Sequence, residues 1–183
     1  MNNYQSNHWI KFGTIKLPPI PDAVLSAPVV IGKGHRHTTV ADSVDGDFWF
    51  QREWDTALTK TYNGIAVDNY LASLGLPSFE YKSVSFIAST MSWDWHIDAR
   101  AATINVAVQN SNACTTEFDD GTSYTMENGD VYFLDVKRKH RTVFKPGIIT
   151  PPRIILSICL NEVLQFASTQ KIIENLKTHF SNL

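Results

Sequence analysis

Two neighbouring residues in the middle of the chain and one further along carry side chains that can bind a metal ion together. The stretch Trp95-His96-Ile97-Asp98 reads as the end of a strand, and side chains two positions apart in a strand point to the same face. An imidazole and a carboxylate would therefore lie side by side. His140, at the start of a later predicted strand, is the best candidate for a third ligand. The three residues predict one metal site with open coordination positions.

This set of ligands has a characteristic use in metalloproteins. Two histidines and one carboxylate on one face are the ligands of non-haem Fe(II) oxygenases, which need the open positions for substrate and O2. One His-x-Asp alone is a weak signal, since a histidine with a structural role is the ordinary interpretation. A second pair, His35-x-His37, is weaker still, because glycines precede it and no glutamate lies nearby. A loop that lines the pocket is the better interpretation of that segment.

Strand alternation also makes predictions for the residues beside the first two ligands. Asp94 should share their face and contact a group next to the metal. Trp93 and Trp95 should point to the other face and pack in the core. For Arg100, just past the second ligand, a role in bracing the loop is favoured over contact with a substrate carboxylate.

The elements that must position these residues are mostly short strands separated by polar turns. Strands are predicted at Trp9–Ile15, Val29–Ile31, Phe48–Trp54, Phe79–Ser89, Ser92–Asp98, Thr103–Gln109, Cys114–Phe118, Val131–Asp135, His140–Val143 and Arg153–Leu160. A helix is expected from about Asp55 to Leu74, weakened at Gly64 and ended by Gly75 and Pro77. An apolar stripe after Asn161 predicts a C-terminal helix packed against a sheet. The layout is a roughly eight-stranded antiparallel unit flanked by helices.

Composition fits one compact domain spanning residues 1–183. The chain is 43% hydrophobic and 19% charged, with a net charge of −2. Its densest basic cluster, Lys137 to Lys139 with Arg141, is too small for general nucleic-acid binding, although it would suit a local basic rim. The two cysteines, Cys114 and Cys159, form no paired motif and are expected to be small buried residues. No signal peptide or membrane span is expected, so the predicted compartment is the cytoplasm.

Between Phe86 and Leu160 the chain resembles the 2-oxoglutarate/Fe(II)-dependent dioxygenases. The resemblance rests on four features: His96-x-Asp98 at a strand end, the turn and strand in Glu127-Asn128-Gly129-Asp130-Val131-Tyr132-Phe133-Leu134, the distal His140, and Arg153 thirteen residues later at the start of a strand. It implies a mainly β fold, a double-stranded β-helix or jelly roll over about residues 79–160. Residues 1–78 would be an N-terminal extension with a helix, and residues 161–183 the C-terminal helix.

The resemblance also implies a cosubstrate site and an activity. Arg153 would hold the distal carboxylate of 2-oxoglutarate, because a guanidinium pairs with a carboxylate through two charge-assisted hydrogen bonds. Ser157 shares the strand face of Arg153 and could add a hydroxyl, although relatives often carry the hydroxyl where this chain has Ile155. Asn105, or Thr103 on the same strand, could bond the metal-bound end of the cosubstrate. Decarboxylation of 2-oxoglutarate by O2 would be coupled to hydroxylation of an unactivated C–H bond.

Two other functions fit the same residues. A cupin-like metalloenzyme could use the same three ligands without 2-oxoglutarate, and a jelly-roll binding module could keep the site without catalysis. The short chain favours a small molecule, an amino acid or a peptide segment as the substrate. The sequence does not indicate which substrate is used or whether the chain forms oligomers.

Overall fold

The computed structural model describes residues 8–19, 49–55, 61–62, 65–81, 83–89, 92–98, 102–146, 153–160 and 166–183. The twelve strands within these ranges are β1 (Trp9–Thr14), β2 (Trp49–Asp55), β3 (Thr61–Tyr62), β4 (Ile65–Ala66), β5 (Ser83–Ser89), β6 (Trp93–His96), β7 (Thr103–Gln109), β8 (Cys114–Phe118), β9 (Ser123–Tyr124), β10 (Asp130–Leu134), β11 (His140–Phe144) and β12 (Arg153–Cys159). Helix α1 spans Val67–Ser73, α2 spans Phe166–Ser181, and a single 3-10 turn covers Ser111–Ala113. Neither described helix is long and apolar enough to cross a membrane.

Strands β5 to β12 form the predicted eight-stranded unit. The larger sheet has the order β1-β10-β7-β12-β5-β2 and the smaller one β6-β11-β8-β9, and all the pairs are antiparallel. Along the chain these strands alternate between the two sheets, except that β8 and β9 both lie in the smaller one, and this arrangement resembles a jelly roll. The outer strands β1 and β2 extend the larger sheet at its two edges. The prediction of a mainly β, double-stranded β-helix core with a C-terminal helix is confirmed.

The larger sheet divides its side chains between two environments. On one face, alternate residues of β7 and β12 pack in the main hydrophobic core beneath α2, whose Ile172, Ile173 and Leu176 are buried. The other residues of these strands face the smaller sheet. Because strands of this sheet are buried on both faces, β7, β10 and β12 read as nearly continuous apolar runs. The polar residues on the inner face are therefore placed between the two sheets.

The predicted helix at Asp55–Leu74 is wrong in its middle part. The helix begins only at Val67, and Thr61–Tyr62 pairs with Ile65–Ala66 as a small antiparallel hairpin. Asn63-Gly64 stands between these pairs in the sequence, and this dipeptide with β-branched or aromatic neighbours favours a tight hairpin turn over a helix. Residues 56–60, the strand expected at Val29–Ile31, the His35-x-His37 pair and Arg100 lie outside the described residues.

Candidate metal centre and cavity

The three expected ligands come together between β6 and β11. His140 pairs directly with His96 across the two strands, and their ring centroids lie 4.4 Å apart. Asp98 follows the end of β6, and its Oδ1 lies 3.7 Å from Nε2 of His96. One ligand atom from each of the three residues lies within 4.8 Å of the others. Two imidazole nitrogens and a carboxylate oxygen therefore converge on one point.

The backbone holds both histidines in the same tautomer. Nδ1 of His96 donates to the carbonyl oxygen of Asp94 at 2.6 Å, and Nδ1 of His140 donates to that of Arg138 at 2.7 Å. With the proton on Nδ1, each ring presents the lone pair of Nε2 to the ion. In each case the acceptor lies two residues before the histidine, so both rings are oriented by the local chain path.

The residues around His140 fix the position of this ligand. Its side chain is buried at 5% exposure, and Phe118 lies beside it with ring centroids 6.1 Å apart. The ring centroids of His8 and Phe118 lie 5.1 Å apart, and His8 donates a hydrogen bond to Asp120 in the turn after β8. The amide of Asp98 donates to the carbonyl of Val136 at 3.0 Å. The turn between β10 and β11 therefore holds Asp98 through the carbonyl of Val136 and His140 through the carbonyl of Arg138.

A β-bulge in β6 overturns three expectations for the ligands' neighbours. His96 pairs with His140 and Trp93 with Thr142, so three residue steps on β6 oppose two on β11. The extra residue puts both Trp93 and His96 on the cavity side, and their ring centroids lie 5.7 Å apart. Asp94 is exposed, and its backbone carbonyl oxygen accepts a hydrogen bond from His96. Trp95 is 37% exposed instead of packed in the core.

A cavity between the two sheets links the three ligands to Arg153. Its walls are formed by Ile87, Trp93, His96, Asp98, Thr103, Asn105, Thr116, Tyr124, Tyr132, Leu134, Val136, His140, Thr142, Arg153, Ile155 and Ser157. Asn105 and Ser157 line this cavity from the inner face of the larger sheet, and both side chains are buried at 2% exposure. The side-chain amide nitrogen of Asn105 donates to the Thr103 hydroxyl at 3.1 Å, while the side-chain amide oxygen has no hydrogen-bond partner among the described residues.

Arg153 is a buried cation without an acidic partner among the described residues. Its side chain is 7% exposed, and Nε lacks a hydrogen-bond partner. Burial disfavours its charge, but Cys114, Tyr132 and Tyr124 around it outweigh that effect and the pKa of Arg153 is raised. A buried guanidinium that keeps its charge needs compensation, and an anionic ligand in the cavity would supply it.

Two tyrosines and a threonine belong to this site although the sequence did not single them out. The Tyr132 hydroxyl is a hydrogen-bond partner of both Arg153 and Tyr124, and Tyr124 is in turn a partner of Thr116. Burial raises the pKa of both tyrosines, so their hydroxyls stay protonated and can donate. Tyr132 occupies an inward position of β10, and this parity was the available signal. Tyr124 lies on a two-residue strand too short for any pattern.

Comparisons with known proteins support the fold and leave the family open. No protein-family model matches the chain, and no curated protein matches it by sequence. A prolyl-4-hydroxylase from Pseudomonas putida superimposes with a TM-score of 0.51 at 15% identity, covering 87% of this chain and 96% of that one. Protein NMB1881 from Neisseria meningitidis covers 53% of this chain and 98% of its own at 16% identity, but its TM-score of 0.37 is too low to support an argument. The chain therefore shares the fold of a hydroxylase and carries a cluster suited to a metal ion.

Proposed function

We propose that this protein is an Fe(II)- and 2-oxoglutarate-dependent oxygenase that hydroxylates an unactivated C–H bond of a small molecule, an amino acid or a peptide. One observation carries the proposal: a single cavity joins three converging metal ligands to a buried arginine that has no acidic partner among the described residues. The fold of the Pseudomonas putida hydroxylase is consistent with this activity.

The ligand set fits iron better than magnesium or a structural zinc ion. Two nitrogens and one oxygen on one side match the facial arrangement of non-haem Fe(II) sites. Structural zinc sites usually have four protein ligands, often including cysteine, and magnesium prefers oxygen ligands alone. His96, Asp98 and His140 would hold the ion, with both imidazoles presenting Nε2. Bound iron would supply the activation of O2, and the protein's part is to hold, orient and shield the reactants.

The other end of the cavity fits the distal carboxylate of 2-oxoglutarate. Arg153 offers an unpartnered N–H and a full positive charge, and the Tyr132 hydroxyl beside it offers a further donor. Ser157 lines the same wall two residues beyond Ile155. The side-chain amide oxygen of Asn105 and the hydroxyl of Thr103 are further polar groups along the cavity that a ligand can contact. A dicarboxylate would satisfy the buried charge, because its two ends match a cation and a metal ion.

The rival functions leave this arginine without a role. A cupin-like enzyme that uses only the metal, or a non-catalytic binding module, gives no reason to bury a guanidinium without a carboxylate. Leaving a charge uncompensated in the interior costs several kcal/mol, so such a residue is usually kept for a ligand.

Iron binding in the ligand variants tests the metal site. His96→Ala and Asp98→Ala should each abolish tight binding of Fe(II) in an anaerobic titration, because two ligands alone hold the ion weakly. His179→Ala is the matched control, since this histidine lies on α2 and does not line the cavity. If both ligand variants bind iron as the wild type does, the assignment of the three ligands is wrong.

Succinate release tests the cosubstrate. The iron-loaded wild type, given 2-oxoglutarate and O2, should release succinate slowly without a substrate and faster with a true one. A screen of small molecules, amino acids and short peptides for increased 2-oxoglutarate consumption would identify that substrate. Tight iron binding without any 2-oxoglutarate binding would favour the metal-only enzyme or the non-catalytic module.

A further inference from the structure

His8 is a buried polar residue, immediately before β1, that has no part in the metal site or the cavity described above. Its side chain is only 3% exposed, and Nε2 donates to the carboxylate of Asp120. The other ring nitrogen, Nδ1, is buried and has no hydrogen-bond partner among the described residues. An unsatisfied buried nitrogen costs stability, so a histidine at this position is a poor choice for packing alone.

The contacts of the His8 ring lead directly to the distal metal ligand. Its centroid lies 5.1 Å from that of Phe118, and the Phe118 centroid lies 6.1 Å from that of His140. Phe118 is 1% exposed and is also the backbone partner of His140 in the pairing of β8 with β11. Since protein interiors are close-packed, a buried ring moves only if its neighbours move. One phenyl group therefore couples the position of His8 to that of His140.

The main chain at His8 also joins the two turns that flank the distal ligand. Its carbonyl oxygen accepts from the amide of Asp135 at 2.8 Å, where the turn between β10 and β11 begins. Its side chain holds Asp120 in the turn after β8. These two turns also contact each other, because the amide of Asp119 donates to the carbonyl of Lys139 at 3.2 Å. His8 thus bridges both turns at once.

Asp120 is held in place to accept the hydrogen bond from His8. Its Oδ1 accepts from the amide and the hydroxyl of Thr122 at 2.9 and 2.7 Å, which leaves Oδ2 for His8. The hydrogen bonds from Thr122, followed by that from His8, keep the pKa of Asp120 below its usual range. The carboxylate is therefore a fixed, ionised acceptor.

We propose that His8 is a positioning residue for the distal metal ligand, holding the His140 ring through Phe118 and fixing the two turns beside it. The inference rests on the proposed metal site and requires no particular cosubstrate or substrate. A ligand atom has to stay within about 0.5 Å of its productive position, so a support behind the ring affects the metal directly. Strand β1 then serves the site as well as extending the larger sheet.

Titration of the full chain with Co(II) tests the proposal, with visible absorption as the readout. Co(II) suits the same ligands as Fe(II), and its d–d bands report the number and geometry of the ligands. His8→Phe keeps a ring against Phe118 but removes the donor. It should bind Co(II) about tenfold more weakly, at the low end of the range for changes behind metal ligands, with altered bands. His8→Gln keeps a donor near the position of Nε2 and should restore most of the affinity and the wild-type bands.

Two variants of the turn after β8 provide the partner test and its matched control. Asp120→Ala removes the acceptor and should reproduce the loss seen in His8→Phe, and the double variant should be no worse than either single one. Thr122→Val loosens the same turn without touching His8, so it should bind Co(II) as the wild type does.

Thermal unfolding of each variant separates the metal effect from a loss of stability. A lower unfolding temperature with wild-type Co(II) affinity and bands would show that His8 is only structural and would overturn the inference while leaving the proposed function intact. If His8→Phe does not fold, Asp120→Ala decides by the same criteria, because its site lies in a partly exposed turn. A wild type that binds no Co(II) would overturn both the inference and the proposed metal site.

Discussion

Replacing Arg153 by methionine separates a ligand-binding role of this residue from a structural one. Methionine keeps a long flexible stem in the cavity wall but removes the charge and all the donors. Arg153 is 7% exposed and has no acidic partner among the described residues. We expect the variant to lose affinity for 2-oxoglutarate without losing stability.

The burial of Arg153 sets the expected size of the loss. Removing one partner of a buried, hydrogen-bonded charge pair costs about 2–5 kcal/mol. Since each 1.4 kcal/mol is a factor of ten, affinity for 2-oxoglutarate should fall by about 30-fold at least and by about several thousand-fold at most. The upper part of this range is favoured, because nearly the whole side chain is shielded from water.

The stability of the ligand-free protein should respond differently. A buried charge without an acidic partner opposes folding, so its removal should leave the free energy of unfolding within about 1 kcal/mol of the wild type or raise it. Arg153→Lys should bind 2-oxoglutarate better than the methionine variant but worse than the wild type, because lysine keeps the charge and loses the planar fork.

Anaerobic calorimetric titration of the iron-loaded protein with 2-oxoglutarate measures the first effect, and thermal unfolding measures the second. Iron affinity should be unchanged, which shows that the three ligands remain in place. Arg141→Ala is the control, since this arginine points outward and pairs with Glu117 at 2.7 Å. Unchanged 2-oxoglutarate affinity in Arg153→Met would refute the reasoning and move the anchoring role to Lys139 or Lys145. A large loss of stability would instead show a structural role.

Two further predictions concern the turn that leads into β10. Burial opposes the charge of Asp130, but hydrogen bonds, the largest of them from Lys11, outweigh this effect and lower the pKa of the carboxyl group. The stability that this residue contributes is therefore present above about pH 4 and is lost as the pH falls. Asp130→Asn should therefore lower the free energy of unfolding by about 1.5–3 kcal/mol at pH 7, and urea titrations at decreasing pH should show that difference shrinking; a constant difference would contradict the charge argument. Gly129→Ala should destabilise the protein more than Gly121→Ala in the same urea assay. Both glycines have a positive φ, so both substitutions strain the backbone. At Gly129 the new Cβ would also lie 2.5 Å from the carbonyl oxygen of Ile15, whereas at Gly121 it would have no such neighbour among the described residues. Equal losses would show that the backbone at Ile15 yields.

The sequence alone determined the strands of the core except the two-residue β9, and it identified the first pair of candidate ligands. Apolar runs bounded by polar turns are a local property, and they placed β7, β8, β11 and β12 within about a residue of their observed bounds. The His-x-Asp spacing is equally local, because side chains two positions apart in an extended chain point to the same face whatever the fold. The helix from Asp55 was predicted too long because helical spacing in Ala66–Leu74 was extended back through Asn63-Gly64, where local turn chemistry favours a hairpin.

Only the tertiary structure decided what surrounds those ligands. The approach of His140 to His96 depends on the pairing of β11 with β6, and the exchange of Asp94 for Trp93 on the cavity side depends on one extra residue in that pairing. The group of Arg153, Tyr132 and Tyr124 comes from three strands and from both sheets. A bulge and a contact between sheets are set by which strand lies opposite, and alternation within one strand carries no information about its partner.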